Sequence, residues 1–207
     1  MGEGHHTLFG ATGSGSAAIE VALDRCGVPW RLVQAAPWER GPAVDELARL
    51  NPLRQVPTLV LPDGSVLTES AAILIHLGSE HPGSDLLPVA PAERAQCLRA
   101  LVYIAANCYG AIGIVDFPGR WCDGAEHDET LAQRVQRATR ARLHAAWDAF
   151  ADLFPGSPFL GGHQPGAADL LAMVVSKWAG TRAHLAVSRP AFSALLARIE
   201  SHPTVAA

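Results

Sequence analysis

The segment from Asn51 to Leu77, NPLRQVPTLVLPDGSVLTESAAILIHL, leaves few folds open. Thr58 to Leu61 is strand-like. Asp63-Gly64 is a hairpin turn signal, and Val66 to Thr68 returns as the partner strand. Ser70 precedes the apolar run Ala71 to Leu77 as a helix N-cap would. Val56-Pro57 stands at the entrance to the first strand. Together these pieces suit a short peptide. The strand edge beside Pro57 offers backbone to pair with. The helix N-terminus at Ser70 offers free N–H groups and a positive dipole end to a carboxylate.

The residues before this segment alternate in the same way. Thr7 to Gly10 reads as a strand, Gly13 to Ser16 as a turn and cap, and Ala17 to Arg25 as a helix closed by Gly27. Trp30 to Gln34 is a second strand, and Gly41 to Leu50 a second helix. The order is βαβ-α-ββα. A helical crossover between the first two strands implies that they pair in parallel. His81-Pro82-Gly83-Ser84 breaks the pattern, and Asp85 to Pro91 is a connector.

Everything later reads as helix. Pro91 suits a first helical turn. Leu98, Leu101, Ala105, Cys108 and Ile112 form a stripe at helical spacing. Phe117-Pro118-Gly119 ends that segment. A long helix covers Asp128 to Leu153, with Leu143, Trp147 and Phe150 on one side. Ala167 to Trp178 is apolar nearly all round and should be the buried centre. Pro190 opens a last helix. The expected fold class is an α/β thioredoxin-like N-terminal domain (1–82), a linker (83–91) and an all-α C-terminal helical domain (92–207).

The first turn, Gly10-Ala11-Thr12-Gly13-Ser14-Gly15-Ser16-Ala17-Ala18, follows a strand and opens a helix. A helix N-terminus stabilises a nearby thiolate, and a hydroxyl donating to sulfur favours it further. A free thiol of pKa about 8.5 is only about 3% ionised at pH 7. Lowering it by about two units needs roughly 2.7 kcal/mol of differential stabilisation. The candidate hydroxyls are Ser14, Ser16 and Thr12. Ser16 falls at the helix start as its N-cap. No tyrosine is expected nearby, since Tyr103 and Tyr109 both lie in the helical part. The same loop carries Gly13-x-Gly15-x-x-Ala18, a match to the dinucleotide GxGxxG/A pattern. The strand after it ends at Gln34, without the acidic residue that a ribose contact uses.

At 207 residues, with 49% hydrophobic and 17% charged, the chain is that of an ordinary globule of one large or two small domains. A net charge of −4 argues against a broad nucleic-acid footprint. No uninterrupted run of 18 apolar residues suggests a membrane span, and MGEGHHTLFG has no signal-peptide pattern. Cytoplasm is the expected compartment. Arg134, Arg137, Arg140 and Arg142 read as a solvated helix face. The four cysteines make no CxxC, and no His pair has metal-site spacing. Cys97 and Cys108 read as core thiols. No metal is expected.

The Asn51–Leu77 segment, the loop before the first helix, and Phe159 to Leu171 (FLGGHQPGAADLL) together resemble the glutathione S-transferase family, in its bacterial, serine-type, theta/beta-like members. The resemblance implies a cis Val56-Pro57 bond and glutathione as co-substrate. Ser14, or after it Ser16, would face the sulfur. Val56 would pair with the cysteinyl unit beside Pro57, and Glu69 and Ser70 would take the γ-glutamyl end. Gln55 and Arg54 would reach the glycyl carboxylate, and Trp38 and Arg40 would approach the tripeptide. Tyr103, Asn107 and Trp121 are placed in an electrophile pocket. A small hydrophobic electrophile and a homodimer are the implied partners, with no nucleic acid and no membrane. The family often has Ser or Thr where this chain has Gly166, three residues before Asp169. Glycine caps without a side-chain bond, which implies a weaker folding nucleus. Two alternatives stay open: a non-catalytic glutathione- or ligand-binding member of the same fold, and a nicotinamide-nucleotide enzyme.

Overall fold

A computed structural model describes residues 4–206. Strand β1 (His6–Gly10) pairs in parallel with β2 (Trp30–Gln34), Leu8 opposite Leu32. On its other edge β1 pairs antiparallel with β3 (Thr58–Val60), Leu8 opposite Leu59, and β3 pairs with β4 (Val66–Thr68). The four-stranded order is β2-β1-β3-β4. Helices α1 (Ala17–Cys26), α2 (Pro42–Leu50) and α3 (Ser70–Glu80) complete a thioredoxin-like region. Its antiparallel pairs are not those of a doubly wound parallel sheet, which removes the support for the nicotinamide-nucleotide alternative.

The strand period of two assigns the sheet's two faces. Leu8 enters the main core with Ile19 and Leu23 of α1, while Phe9 faces the opposite way onto Ala35 and Leu47. The main core does not stop at the sheet. It continues from Leu8, Leu23 and Leu77 into Leu101, Trp147, Leu171 and Leu196 of the later helices.

Those helices are α4 (Pro91–Tyr103), α5 (Gly110–Asp116), α6 (Glu129–Leu153), α7 (Ala167–Val175), α8 (Thr181–Ser188) and α9 (Pro190–Glu200). A π-helical turn, Ile104–Tyr109, joins α4 to α5 into one rod. By length and composition this rod, Pro91–Asp116, is long and apolar enough to cross a membrane. That finding goes beyond the run-based expectation above. In the fold, its Leu101, Ile104, Cys108 and Ile112 belong to the main core. Asp128 caps α6, its carboxylate accepting from the Leu131 N–H at 3.0 Å.

Two expectations need correction. Ser70 is the first residue of α3 and not its cap: Glu69 holds the cap position, at φ 66°. Helix α7 stops at Val175, short of Trp178: turns follow from Ser176, and Ala179 and Gly180 enter the left-handed region at φ 55° and 75°. Helix α8, which shows no clear apolar period in the sequence, follows that turn.

Every residue of α7 is buried. Its Gly166 cap lacks a side chain, as expected, yet Asp169 gathers the neighbouring loop. Its carboxylate accepts from the N–H groups of Leu160 and Gly161 at 2.8 Å and of Gly166 at 2.9 Å. Burial pushes its pKa up to about 6, against the pull of those three donors. Arg25 ties α1 to the same region, donating to the carbonyls of Ser84 and Pro165. Burial also pushes the core thiols up, Cys97 to about 11 and Cys108 to about 12.

Candidate active site

The loop between β1 and α1 folds back on itself. Gly13 takes φ 76°, a conformation that suits glycine. The Ser14 N–H then donates to the Ala11 carbonyl at 3.0 Å. Ser16 caps by position only, without a side-chain cap bond. Its hydroxyl is fully buried and donates to the Glu20 carboxylate at 2.9 Å. It also accepts from the Ala11 N–H and the Ser14 hydroxyl. The Ser16 hydroxyl is therefore committed inward. Ser14 is half-buried, and its oxygen is fixed by the Ser16 N–H at 3.2 Å.

Ser14 lies on a cleft of about 420 Å³ whose other walls include Met173, Val174, Lys177, Trp178 and Val205. Lys177 is paired with Glu200 at 2.6 Å on the same cleft. The wall is thus α1 on one side and α7 with the chain's end on the other.

The second half of the site is built by Asn51. This buried amide donates to the Gln55 carbonyl at 3.2 Å and to the Thr58 hydroxyl at 3.1 Å, and its oxygen accepts from the Leu53 N–H. The Thr58 hydroxyl also donates to the Gln55 carbonyl, at 2.9 Å. These bonds hold the turn that carries Arg54, Gln55 and the cis Val56–Pro57 bond. Arg54 and Gln55 are exposed and Val56 is half-buried.

At the start of α3, Glu69 adopts φ 66°, ψ 113°, a backbone region that costs a non-glycine residue on the order of 1–3 kcal/mol. Its side chain is exposed. Ser70 follows, 5% exposed, and its hydroxyl has no hydrogen-bond partner among the described residues. A buried hydroxyl without a partner at a helix N-terminus leaves its bonding to be completed by something else.

A profile for the glutathione S-transferase N-terminal domain matches residues 16–80. The Escherichia coli K12 protein described as an uncharacterized GST-like protein, YncG, is 38% identical over 120 residues; the match covers 57% of this chain and 58% of YncG. The chain thus spans little more than half of that relative. The maleylacetoacetate isomerase of Rhizobium meliloti is 32% identical over 160 residues, covering 76% of this chain and 73% of that enzyme. This chain belongs to the glutathione S-transferase family. In three dimensions it superposes on a glutathione transferase homologue from Sulfitobacter with bound glutathione, at a TM-score of 0.83 and 22% identity, over 98% of this chain and 96% of that one.

The structure brings Ser14 and Ser16 together in one loop, and Gln55 to Pro57 together in another. It does not gather Tyr103, Asn107 and Trp121 at the cleft beside Ser14. The Tyr103 hydroxyl donates to the Ala146 carbonyl at 3.0 Å, and its ring packs on Phe150 and Phe154. Asn107 is exposed and donates to the Tyr103 carbonyl, which the π turn leaves within its reach. Trp121 is 65% exposed in the connector after α5, and Trp38 is 66% exposed.

The expectation of no tyrosine near the loop is overturned. A Cβ built on Gly15 would run into the Tyr109 hydroxyl. Asn51, Glu20, Trp178 and Tyr109 were all passed over by sequence reasoning. Glu20 had a signal in its spacing, four residues past Ser16 on one helix face. Tyr109 had only the unexplained glycine between two serines.

Proposed function

We propose that the chain is a glutathione transferase that lowers the thiol pKa of glutathione and directs the thiolate at a small hydrophobic electrophile. The observation that carries this reading is the buried, unpartnered Ser70 hydroxyl at the N-terminus of α3. An α-carboxylate of the γ-glutamyl unit would accept from that hydroxyl and from the free N–H groups of the first helical turn. Glu69, next to it, would take the amine. Val56 would pair with the cysteinyl backbone, and Gln55 and Arg54 would approach the glycyl carboxylate.

With the tripeptide so placed, Ser14 is the hydroxyl for the sulfur. Its oxygen is already positioned by the Ser16 N–H, and its proton is free to turn from Ser16 to a thiolate. A charge-assisted bond contributes on the order of 1.5–3 kcal/mol. With the α1 dipole, that meets the roughly 2.7 kcal/mol required for a two-unit shift. Ser16 and Glu20 are positioning residues behind it. The electrophile would occupy the cleft against Met173, Trp178 and Val205. In this reading residues 1–82 hold glutathione, 83–91 connect, and the remaining helices supply the electrophile's side.

A glutathione-dependent isomerase is the second reading, favoured by the Rhizobium relative. The same thiolate would add to a conjugated double bond and leave after rotation, with glutathione regenerated. Family membership also implies a cytoplasmic homodimer, for which exposed Leu53 (70%) and Val102 (57%) offer apolar contact.

The test is calorimetric titration with reduced glutathione, followed by a conjugation assay with an aryl halide on the same sample. Binding with turnover supports the transferase. Binding without turnover sends the assay to an isomerisable diene acid. An absence of binding defeats both readings.

A further inference from the structure

Tyr109 lies where the helical region meets the loop before α1, and three observations define its place. The π turn Ile104–Tyr109 carries it, and such turns inside α-helices often mark functional sites. Its ring stacks on Trp178 with centroids 5.8 Å apart and an interplanar angle of 13°. Its hydroxyl lies against Gly15, where any Cβ would displace it.

Two groups at the start of α3, the Glu69 carboxylate and the Ser70 hydroxyl, lie close enough to act on that hydroxyl. Burial pushes its pKa up, the Glu69 carboxylate adds to that, and the Ser70 hydroxyl draws it back. The two hydroxyls fall short of a formed hydrogen bond, since the Ser70 hydroxyl has no partner among the described residues. A neutral phenol and a neutral alcohol, each with an uncommitted proton, thus stand beside the free N–H groups of α3. Two unused donors next to a helix N-terminus fit one anionic oxygen pair better than they fit each other.

Resting on the glutathione reading, we propose that Tyr109 is a second side-chain donor to the γ-glutamyl α-carboxylate, supplied by the helical region and working together with Ser70. The assignment gives Gly15 a purpose, because the backbone there must let the phenol through. It also separates two tasks. Ser14 acts on the sulfur, and Tyr109 with Ser70 acts on the far end of the tripeptide.

The experiment is a binding comparison by calorimetry of wild type and Tyr109→Phe. Phenylalanine keeps the Trp178 stack, and a thermal melt checks the fold. The ligands are glutathione and γ-aminobutyryl-Cys-Gly, which lacks only the α-carboxylate. The bound-thiol pKa is read from thiolate absorbance. Expected are about tenfold weaker binding of glutathione by Tyr109→Phe, equal binding of the analogue by both proteins, and an unchanged bound-thiol pKa. Equal binding of glutathione by both proteins overturns the proposal. So does a matching loss for the analogue, which signals a general packing effect, or a raised thiol pKa, which moves Tyr109 to the sulfur. Should wild type bind neither ligand, the glutathione reading itself has failed, which is a separate result.

Discussion

The Ser16 hydroxyl donates to the Glu20 carboxylate at 2.9 Å across the first turn of α1, and this bond turns Ser16 inward and leaves Ser14 as the loop serine whose proton can turn to a ligand. Ser14→Ala should cut kcat for conjugation by about a hundredfold, as loss of a single transition-state donor does. Glutathione affinity should change less than threefold. Steady-state kinetics and calorimetry check the split. An unchanged kcat moves the sulfur contact to the loop backbone. Ser16→Ala, in contrast, should lower stability by about 1–3 kcal/mol, because the Ala11 N–H and Glu20 lose their partner.

Ser70→Ala should separate binding from stability. The hydroxyl has no partner in the free protein, so its removal should leave the melting temperature unchanged or raise it. Glutathione affinity should fall about tenfold, the usual worth of a charge-assisted bond. A large loss of thermal stability would mean that the hydroxyl is bonded in solution.

Gly15→Ala should weaken the packing of the π turn against the loop before α1, since its methyl group would collide with the Tyr109 hydroxyl. Small-to-large changes of this kind cost about 1–3 kcal/mol. Adding Tyr109→Phe should restore part of the loss only, because the ring carbon beneath the hydroxyl stays 3.1 Å from that methyl group. Denaturant melts of the four proteins form the cycle. Strict additivity of the two changes would contradict the contact.

Asp169→Ala should lower stability by at least about 3 kcal/mol, since three backbone N–H groups lose their acceptor inside the core. This is the same residue that makes good the missing cap side chain at Gly166. A loss under about 1 kcal/mol in urea titrations would show that the loop finds other partners.

Glu200 sets an acid-side dependence. Lys177, hydrogen-bonded to it, holds its pKa below the ordinary glutamate value, and Arg182 adds to the effect. The folded pKa lies below the unfolded one. The pair's stabilisation is therefore present above about pH 4.5 and fades as pH falls through the folded value. Both partners are near half exposed, so the contribution should be about 0.5–1 kcal/mol. The stability difference between wild type and Glu200→Gln should close between pH 6 and pH 3. A constant difference across that range would refute the pairing.

The sequence made the front of the molecule legible because its signals are local. Gly27 and Asp63-Gly64 each act within a few residues and stand where expected, as do Pro91 and Pro190 at the starts of α4 and α9 in the helical part. The start of α3 was misread by one residue because serine before an apolar run is ordinarily a cap. Here Glu69 takes the strained position, and the serine is spared for other use. The electrophile side was less legible. Tyr103, Asn107 and Trp121 share a stretch of sequence, but the π turn changes which way the rod's residues face, and no residue spacing announces such a turn. The cleft beside Ser14 draws its far wall from Met173, Trp178 and Val205, which meet Ser14 only through long-range packing.

The uninterrupted core that joins Leu8, Leu23 and Leu77 to Trp147 and Leu171 bears on inheritance as well as on folding. A thioredoxin-like front half severed near His81 would present the α1 and α3 faces bare, with Arg25 deprived of its Pro165 acceptor. Such a half is not a cassette that recombination can move freely. A viable chimera has to bring α7 along, so the peptide-holding front and the wall it packs on are constrained to diversify as a matched pair.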